Sequence, residues 1–315
     1  MLSFACAPGK KERPVFRLNV DTWVGYAPFW LGIDKGLFDE QGVTVQITTM
    51  PDVGQRKTSM IKGVTDGIAE TVDMLVLDRE ERVPSIAVMQ LDVSNGADGI
   101  LATNNIRTVE DLRGKRIAVQ KNYASEALLN YVLQKHGIHS TEVHELDTEG
   151  GAAGAAFVSG QVDVAVTFEP WLSKAKQRRG GRVLISSADV PGVIVDILSI
   201  RAEYLHEHPE VVAKVMRGWF KALDQWKHDP AGANAIMAKH YNSSPAEFKS
   251  LISGLIWPSY EDNRAYFGTV QAPGVIHAVA HTFVQVFRET GQIRSIPNMA
   301  LAIDGAPLAS LYGGK

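Results

Sequence analysis

The 315-residue sequence has a single cysteine, Cys6, so it can form neither an intramolecular disulfide nor a cysteine cluster for zinc or iron–sulfur. It also has no window close to the ~20 unbroken apolar residues that a membrane helix needs. An excess of one charge is missing too, because 32 basic residues stand against 35 acidic ones. Without a basic stripe to neutralise phosphates, we expect no nucleic-acid partner. Hydrophobic residues make up 45% of the chain, which is ordinary for a globular protein with two domains or one large one.

Motifs of catalysis are absent as well. The sequence contains no G-x-S-x-G nucleophile elbow and no G-x-x-x-x-G-K-[ST] phosphate loop. None of its nine histidines has H-E-x-x-H spacing, and the pair His206 and His208 would diverge on a helix. We therefore expect a protein that is not an enzyme and that carries no metal and no cofactor.

The amino terminus suggests a tether. A small residue, Ala5, precedes Cys6, and a polar stretch with glycine and proline follows it as far as Pro14. This arrangement resembles the end of a bacterial lipoprotein signal, which would place a lipid on Cys6 and make residues 1–14 a linker. The alternative is a chance cysteine in an unstructured tail.

Strand and helix periodicities follow one another along the chain. Residues 16–20 and 43–47 alternate apolar and polar side chains, which predicts strands, whereas 28–38 and 53–62 have helical spacing. The alternation of strands and helices resumes after residue 115, and the last third is mainly helical. This order predicts doubly wound α/β layers.

Two segments share one rhythm of helix, glycine, short turn with aspartate, and apolar strand. The spacing from Gly63 to Thr71 equals that from Gly160 to Phe168. Since ligands of open α/β sheets bind beyond the carboxyl ends of the strands, we expect residues 71–73 and 168–171 to face one cleft from two similar lobes. The alternative is that α/β units share this rhythm without any duplication.

Six segments together carry a resemblance to a known family. They are WVGYAPFWLG at 23–32, KGLF at 35–38, DVSNGADGI at 92–100, VEDLRGKRIAV at 109–119, GAAFVSGQVD at 154–163 and TFEPW at 167–171. In order and spacing they resemble the extracytoplasmic substrate-binding proteins of ABC importers. The most similar branch is the one for nitrate, taurine, aliphatic sulfonates and thiamine precursors, and the resemblance covers roughly residues 16–270.

The resemblance implies a type II periplasmic-binding-protein fold, in which two doubly wound α/β lobes are joined by a hinge of two crossing strands. Carried onto this chain, the crossings are expected near Gly99–Ala102 and Leu198–Ile200. Lobe 1 would then comprise 15–100 and 200–315, and lobe 2 would comprise 101–199. It also implies a monomer that is periplasmic or otherwise extracytoplasmic, that closes over a small molecule, and that works with an ABC permease and ATPase. Contact with the membrane would come only through an anchor at Cys6.

The family takes its ligand contacts from strand ends and helix starts around the cleft. In this sequence those places hold Asp21, Trp23, Tyr26, Thr71, Asp73, Ser94, Asn95, Asp98, Tyr123, Ser125, Phe168, Glu169, Trp171 and Asp196. Three of these aspartates have alternative roles that involve no ligand. Asp98 could close the turn at Asn95, Asp73 could start a helix, and Asp196 could lie outside the interface.

Carboxylates outnumber cations in this set, and only Lys121 is a nearby basic residue. Several carboxylates in an enclosed cleft are unfavourable unless protonated or paired with a cation. The composition therefore favours a ligand with an amine, guanidinium, amide or other donor-rich nitrogen group, such as a taurine-like zwitterion, a guanidine or urea compound, or a thiamine-precursor pyrimidine. A nitrate- or sulfonate-binding protein is the alternative. From other classes, a thiamine-pyrimidine synthase on the same fold and a ligand-sensing receptor domain are also open.

Overall fold

A computed structural model describes residues 13–313, so the prediction about Cys6 lies outside the described residues. Within this part of the chain, no helix is both long and apolar enough to cross a membrane. The strands are β1 (Val15–Val20), β2 (Thr44–Thr49), β3 (Gly67–Thr71), β4 (Ser85–Ser94), β5 (Asp98–Thr103), β6 (Arg116–Val119), β7 (His144–Asp147), β8 (Val164–Phe168), β9 (Gly181–Ser186), β10 (Val195–Arg201) and β11 (Leu255–Ile256). The α-helices are α1 (Ala27–Asp34), α2 (Leu37–Glu40), α3 (Val53–Ile61), α4 (Val72–Glu80), α5 (Ala124–Lys135), α6 (Gly150–Val158), α7 (Trp171–Lys174), α8 (Ala202–Glu207), α9 (Pro209–His228), α10 (Pro230–His240), α11 (Pro245–Leu251), α12 (Tyr260–Phe267), α13 (Val275–Glu289) and α14 (Ala306–Ser310).

The strands form two sheets with matching orders. The first sheet runs β11-β4-β10-β3-β1-β2, and the second runs β7-β6-β8-β5-β9. Strand β1 pairs in parallel with β2 and β3, as β6 does with β7 and β8. One antiparallel strand, β10 or β5, then follows in each sheet. The predicted two-lobed α/β fold is therefore confirmed, and the second sheet read backwards repeats five strands of the first.

The chain passes between the sheets at 95–97 and again at 187–194, a few residues before the crossings expected at Gly99–Ala102 and Leu198–Ile200. Those expected segments lie inside the sheets, because β5 pairs with β8 over residues 98–102 and β10 pairs with both β3 and β4. Their side chains are buried, so apolar runs that looked like linkers belong to sheet interiors. Hereafter lobe 1 means the first sheet with its helices, and lobe 2 means the second.

A hydroxyl pair ties the two crossings together. The Ser94 and Ser187 hydroxyl oxygens lie 2.8 Å apart, and the Gly96 amide donates to the Ser187 hydroxyl at 2.7 Å. This contact fixes the two crossing segments next to each other at the base of the cleft.

Each of the two similar segments places a strand at the centre of its sheet. Helix α3 is capped by the Asp52 side chain and is followed by Gly63 with a φ of 65°, while α6 is capped by Glu149 and followed by Gly160 with a φ of 84°. Glycine adopts this left-handed backbone without a steric penalty, so both chains turn sharply into β3 and β8. The carboxyl ends of these strands therefore point at the same inter-lobe space.

Candidate functional site

The inter-lobe cleft is closed by contacts from both lobes. Asp21 directly follows β1, and its Oδ2 accepts a 2.6 Å hydrogen bond from the hydroxyl of Tyr123, which precedes α5 in lobe 2. The ring of Trp23 in lobe 1 meets the edge of Phe168, at the end of β8, with centroids 5.9 Å apart. Parallel strands end at the same edge of their sheets, and this is how side chains from distant parts of the sequence reach one place.

Three aspartates form the floor of the cleft on lobe 1. The Trp23 amide donates to Asp21 at 2.8 Å and its indole N–H donates to Asp92 at 3.2 Å, while the Tyr26 hydroxyl donates to Asp196. Asp92 and Asp196 face each other in the pairing of β4 with β10. Burial raises the pKa of both carboxyls well above the ordinary value. The negative charge of Asp92 adds to the shift of Asp196, and the charges of Asp98 and Asp21 add to the shift of Asp92.

A buried cation, Arg56 on α3, lies beside this floor. The sequence analysis did not predict it as a site residue. Its Nη1 donates to the Ala69 carbonyl at 3.0 Å and lies 3.6 Å from Asp21 Oδ2, whereas Nε and Nη2 have no hydrogen-bond partner. Burial opposes its charge, but the surrounding negative groups, Asp21 foremost, leave the pKa of Arg56 raised. The available signal was its position four residues before Met60, which places it on the buried face of α3.

Four further side chains among the predicted cleft residues carry buried polar atoms without a partner. They are Thr71 and Asp73 from lobe 1 and Asp98 and Ser125 from lobe 2. Burial raises the pKa of Asp73 to about 6. Burial, together with the carboxylates of Asp21, Asp73 and Glu169, raises the pKa of Asp98 to about 7. A buried polar group without a partner destabilises a fold by roughly 1–3 kcal/mol, so such a group calls for an explanation, and here a bound solute would supply the partner.

The remaining predicted residues lie around this centre. Ser94 is the last residue of β4, and the exposed Asn95 begins the crossing that follows it. The Glu169 carboxylate accepts hydrogen bonds from the amide and hydroxyl of Ser173 in α7. Trp171 packs on Gly154 of α6, where a Cβ would come within 2.2 Å of the indole. The structure thus brings together Asp21, Trp23, Tyr26, Thr71, Asp73, Asp98, Tyr123, Phe168 and Asp196, and it places Glu169 and Trp171 against lobe 2.

A cavity of about 490 Å³ opens at the mouth of the cleft, between α3 of lobe 1 and the loops after β6 and β7 of lobe 2. Its charged lining residues carry both signs: Asp52, Lys57, Glu81, Lys121, Asp147 and Glu149. Lys121, the cation expected near the ligand, is exposed at this mouth and pairs with Glu145 at 3.4 Å. The mouth therefore has a mixed charge, in contrast to the acidic floor.

Two lobes with matching sheets, a double crossing and a buried polar cleft define the periplasmic-binding-protein fold. The NMT1/THI5 like family model matches residues 23–233, and the chain belongs to this family. The taurine-binding periplasmic protein of Escherichia coli is 21% identical over 279 residues, which cover 84% of this chain and 83% of that protein.

Solved structures support the same fold. The alkanesulfonate-binding protein from Xanthomonas axonopodis pv. citri, bound to MOPS, superposes with a TM-score of 0.75 at 20% identity, covering 94% of this chain and all of the other. The periplasmic nitrate-binding protein from Synechocystis PCC 6803 gives a TM-score of 0.69 at 14% identity, covering 92% and 84% of the two chains.

Proposed function

We propose that this protein is an extracytoplasmic solute-binding protein that captures a small nitrogen-bearing solute between its lobes and delivers it to an ABC permease and ATPase. The observation that carries the proposal is the set of buried, unpartnered polar atoms on Thr71, Asp73, Asp98 and Ser125, contributed by both lobes to one cleft. Membership of the NMT1/THI5-like family supports it. The protein would bind and release its solute without turnover.

The charge of the cleft supports a ligand with amine, guanidinium or amide donors. Asp21, Asp73, Asp92, Asp98 and Asp196 are all buried, against one buried guanidinium nearby. A zwitterion such as taurine would combine a donor group for the carboxylates with an anionic group, and the taurine-binding relative is in line with this.

A simple anion is the second candidate, and one specific observation favours it. Nε and Nη2 of Arg56 are buried donors without a partner, and a guanidinium is the side chain best suited to a nitrate or sulfonate. The nitrate- and alkanesulfonate-binding structural neighbours are consistent with this candidate.

Closure would follow from contacts that only the closed form makes. The Tyr123 hydroxyl reaches Asp21, and Phe168 covers Trp23, so water is excluded from the floor once the lobes meet. The paired serines at the two crossings form the hinge region around which the lobes would move.

The test is a thermal-shift screen of the purified chain, followed by calorimetry of every compound that shifts it. The panel contains taurine, alkanesulfonates, nitrate, guanidine, urea, polyamines and formylaminopyrimidines. A ligand at ~100 times its Kd should add ~2.7 kcal/mol of stability. We expect a shift with a compound bearing an amine, guanidinium or amide, with one ligand bound per chain.

Two results would contradict this proposal. A shift only with nitrate or simple sulfonates would favour the second candidate. Formation of more than one equivalent of product per chain would make the protein an enzyme. Asp224→Asn, an exposed carboxylate on α9, is the control for loss of a charge outside the cleft.

A further inference from the structure

Two of the unpartnered carboxyl groups come from opposite lobes. Asp73 lies in the first turn of α4 in lobe 1, and Asp98 is the first residue of β5 in lobe 2. Their side chains are 1% and 4% exposed. Three of their four oxygens, both of Asp73 and Oδ2 of Asp98, have no hydrogen-bond partner.

The other aspartates of the cleft already have hydrogen-bond donors. Asp21 accepts hydrogen bonds from the Tyr123 hydroxyl and the Trp23 amide, and Arg56 lies near it. Asp92 accepts a hydrogen bond from the Trp23 indole, and Asp196 accepts one from the Tyr26 hydroxyl. These donors are therefore bonded to the floor, whereas the Ser125 hydroxyl and Nε and Nη2 of Arg56 remain without a partner. A second unpartnered group, the Thr71 hydroxyl, lies beside the Asp73 carboxyl and is 5% exposed. Apart from this neighbouring hydroxyl, no donor of the described residues lies within hydrogen-bond distance of the Asp73 oxygens or of Asp98 Oδ2, so both carboxyls have acceptor positions open to a ligand.

We propose that Asp73 and Asp98 form a two-carboxylate clamp for one small organic cation whose N–H donors point to both sides, as those of a guanidinium or amidinium group do. This inference rests on the proposed solute-binding function and specifies the charge of the ligand. A planar cation with donors on opposite edges can give hydrogen bonds to a carboxylate on each lobe at once.

The clamp would couple the cation to lobe closure. Two facing carboxylates repel each other when ionised, so the closed cleft without a cation favours their protonated forms. A cation between them turns this repulsion into two attractions, and only the closed arrangement offers both carboxylates. A ligand shifts a conformational equilibrium by its difference in affinity for the two states, and the clamp supplies that difference.

Protons and the cation would compete for the clamp. The negative charges of Asp21, Asp73 and Glu169 act on the Asp98 carboxyl, and the charge of Asp98 acts in turn on Asp92 and Asp196. Arg56 lies next to Asp21. Since burial raises the pKa of Asp73 to about 6 and that of Asp98 to about 7, the cation has to displace protons at acidic pH. Its affinity should rise as the pH increases through this range and become constant above it.

The experiment compares guanidinium with urea, a neutral molecule of the same planar shape, by calorimetry in the millimolar range on the full chain. Asp73→Asn, Asp98→Asn and the surface control Asp224→Asn are measured beside the unmodified protein at acidic and alkaline pH. We expect guanidinium to bind more tightly than urea, and each cleft variant to weaken guanidinium binding roughly tenfold or more while leaving urea unchanged. Asn keeps the shape of Asp and removes a buried charge, so thermal melting should show both variants to be folded.

Several outcomes would overturn the clamp. Guanidinium binding that is absent, no tighter than urea, or equal in all variants excludes it. If taurine, nitrate or an alkanesulfonate then stabilises the chain, the solute-binding function stands and only the cationic clamp fails. If no compound in the wider panel stabilises the chain, the proposed function fails with it.

Discussion

The two lobes share a strand order but differ at the edges that face each other. Lobe 1 contributes Asp21, Asp73, Asp92 and Asp196. Lobe 2 contributes mainly neutral groups, namely the hydroxyls of Tyr123 and Ser125 and the ring of Phe168, with Asp98 as its buried carboxylate in the cleft. The difference indicates separate roles for the lobes. One lobe holds most of the buried carboxyls, and the other closes over them with neutral donors and an aromatic ring.

The equivalent strand ends show how this difference arises. Thr71 ends β3 and leads directly into α4, whose first turn buries Asp73. Phe168 ends β8 at the matching position, and its ring packs on Gly150 at the start of α6. The same backbone pattern therefore presents a carboxylate in one lobe and fills the space with a ring in the other.

The pH dependence of stability should give the largest effect, because it reports directly on the buried charge and several carboxyls contribute to it. The pKa of Asp98 is raised to about 7 in the fold, above the ordinary value of 3.8, so the folded state binds this proton more tightly than the unfolded chain. The stabilisation is present at low pH and is lost as the pH rises towards 7. Between pH 5 and pH 7, Asp98 alone should remove about 2 kcal/mol from the free energy of unfolding, and Asp73 should add to this loss.

Urea unfolding of the ligand-free chain across this range measures the effect. Asp98→Asn should remove that part of the slope, whereas the exposed Asp224→Asn should keep it. A stability that rises from pH 5 to pH 7 would contradict a cleft of protonated, buried carboxyls.

The second effect compares the glycines that let each lobe pack its edge. A Cβ on Gly25 would lie 2.0 Å from Asp92 Oδ2 and 2.4 Å from the Trp23 indole nitrogen, two atoms that are already hydrogen-bonded to each other. A Cβ on Gly150 would lie 2.7 Å from the edge of the half-buried Phe168 ring, which has more room to move. We expect Gly25→Ala to destabilise the fold by about 3 kcal/mol and Gly150→Ala by about 1 kcal/mol.

Thermal and urea melts of both variants decide this, with Gly54→Ala as the control. Gly54 lies in α3, and its Cβ would meet only the Asp52 side chain at 3.4 Å. Alanine should be neutral or mildly stabilising there. Equal losses for Gly25→Ala and Gly150→Ala would show that the edge of lobe 1 is no more rigid than that of lobe 2.

Much of the fold could be predicted from the sequence, because local signals and burial agree. Alternating apolar residues marked the strands, and Gly63 and Gly160 marked where helices stop before the central strands. The positions of the crossings were predicted a few residues late, since a buried strand at 98–103 and a buried linker look alike in hydrophobicity. Only pairing with β8 shows where the second sheet begins.

The site was harder to predict, because reach and pairing depend on tertiary structure. Arg56 escaped notice since an arginine on a helix is usually solvated, and its burial follows from the packing of α3 on Ala69 and Asp21. Asp92 lies within a strand, where the pattern alone does not show that a tryptophan from another segment will pair with it. The ligand-contact roles given to the cleft residues stay predictions until a bound solute is measured.

The smallest expected effect concerns the contact by which lobe 2 closes over lobe 1. Tyr123→Phe removes the hydroxyl that donates to Asp21 at 2.6 Å and keeps the ring. Asp21 retains the Trp23 amide and the nearby Arg56 in the absence of this hydroxyl, so the fold of lobe 1 should persist. A hydrogen bond to a charged group contributes roughly 1.5–3 kcal/mol, and we expect about the lower value here, lost from the closed form alone.

Small-angle X-ray scattering of the ligand-free chain measures the consequence as a larger mean radius of gyration for Tyr123→Phe. Tyr131→Phe is the matched control, because Tyr131 lies on the same helix α5 and its hydroxyl makes no hydrogen bond within residues 13–313. The radius for that variant should equal the one for the unmodified chain. If Tyr123→Phe also leaves the radius unchanged, the neutral donor of lobe 2 does not hold the lobes together. Closure would then depend on the carboxylates and whatever they bind, which would move the emphasis of the comparison entirely to lobe 1 and Asp98.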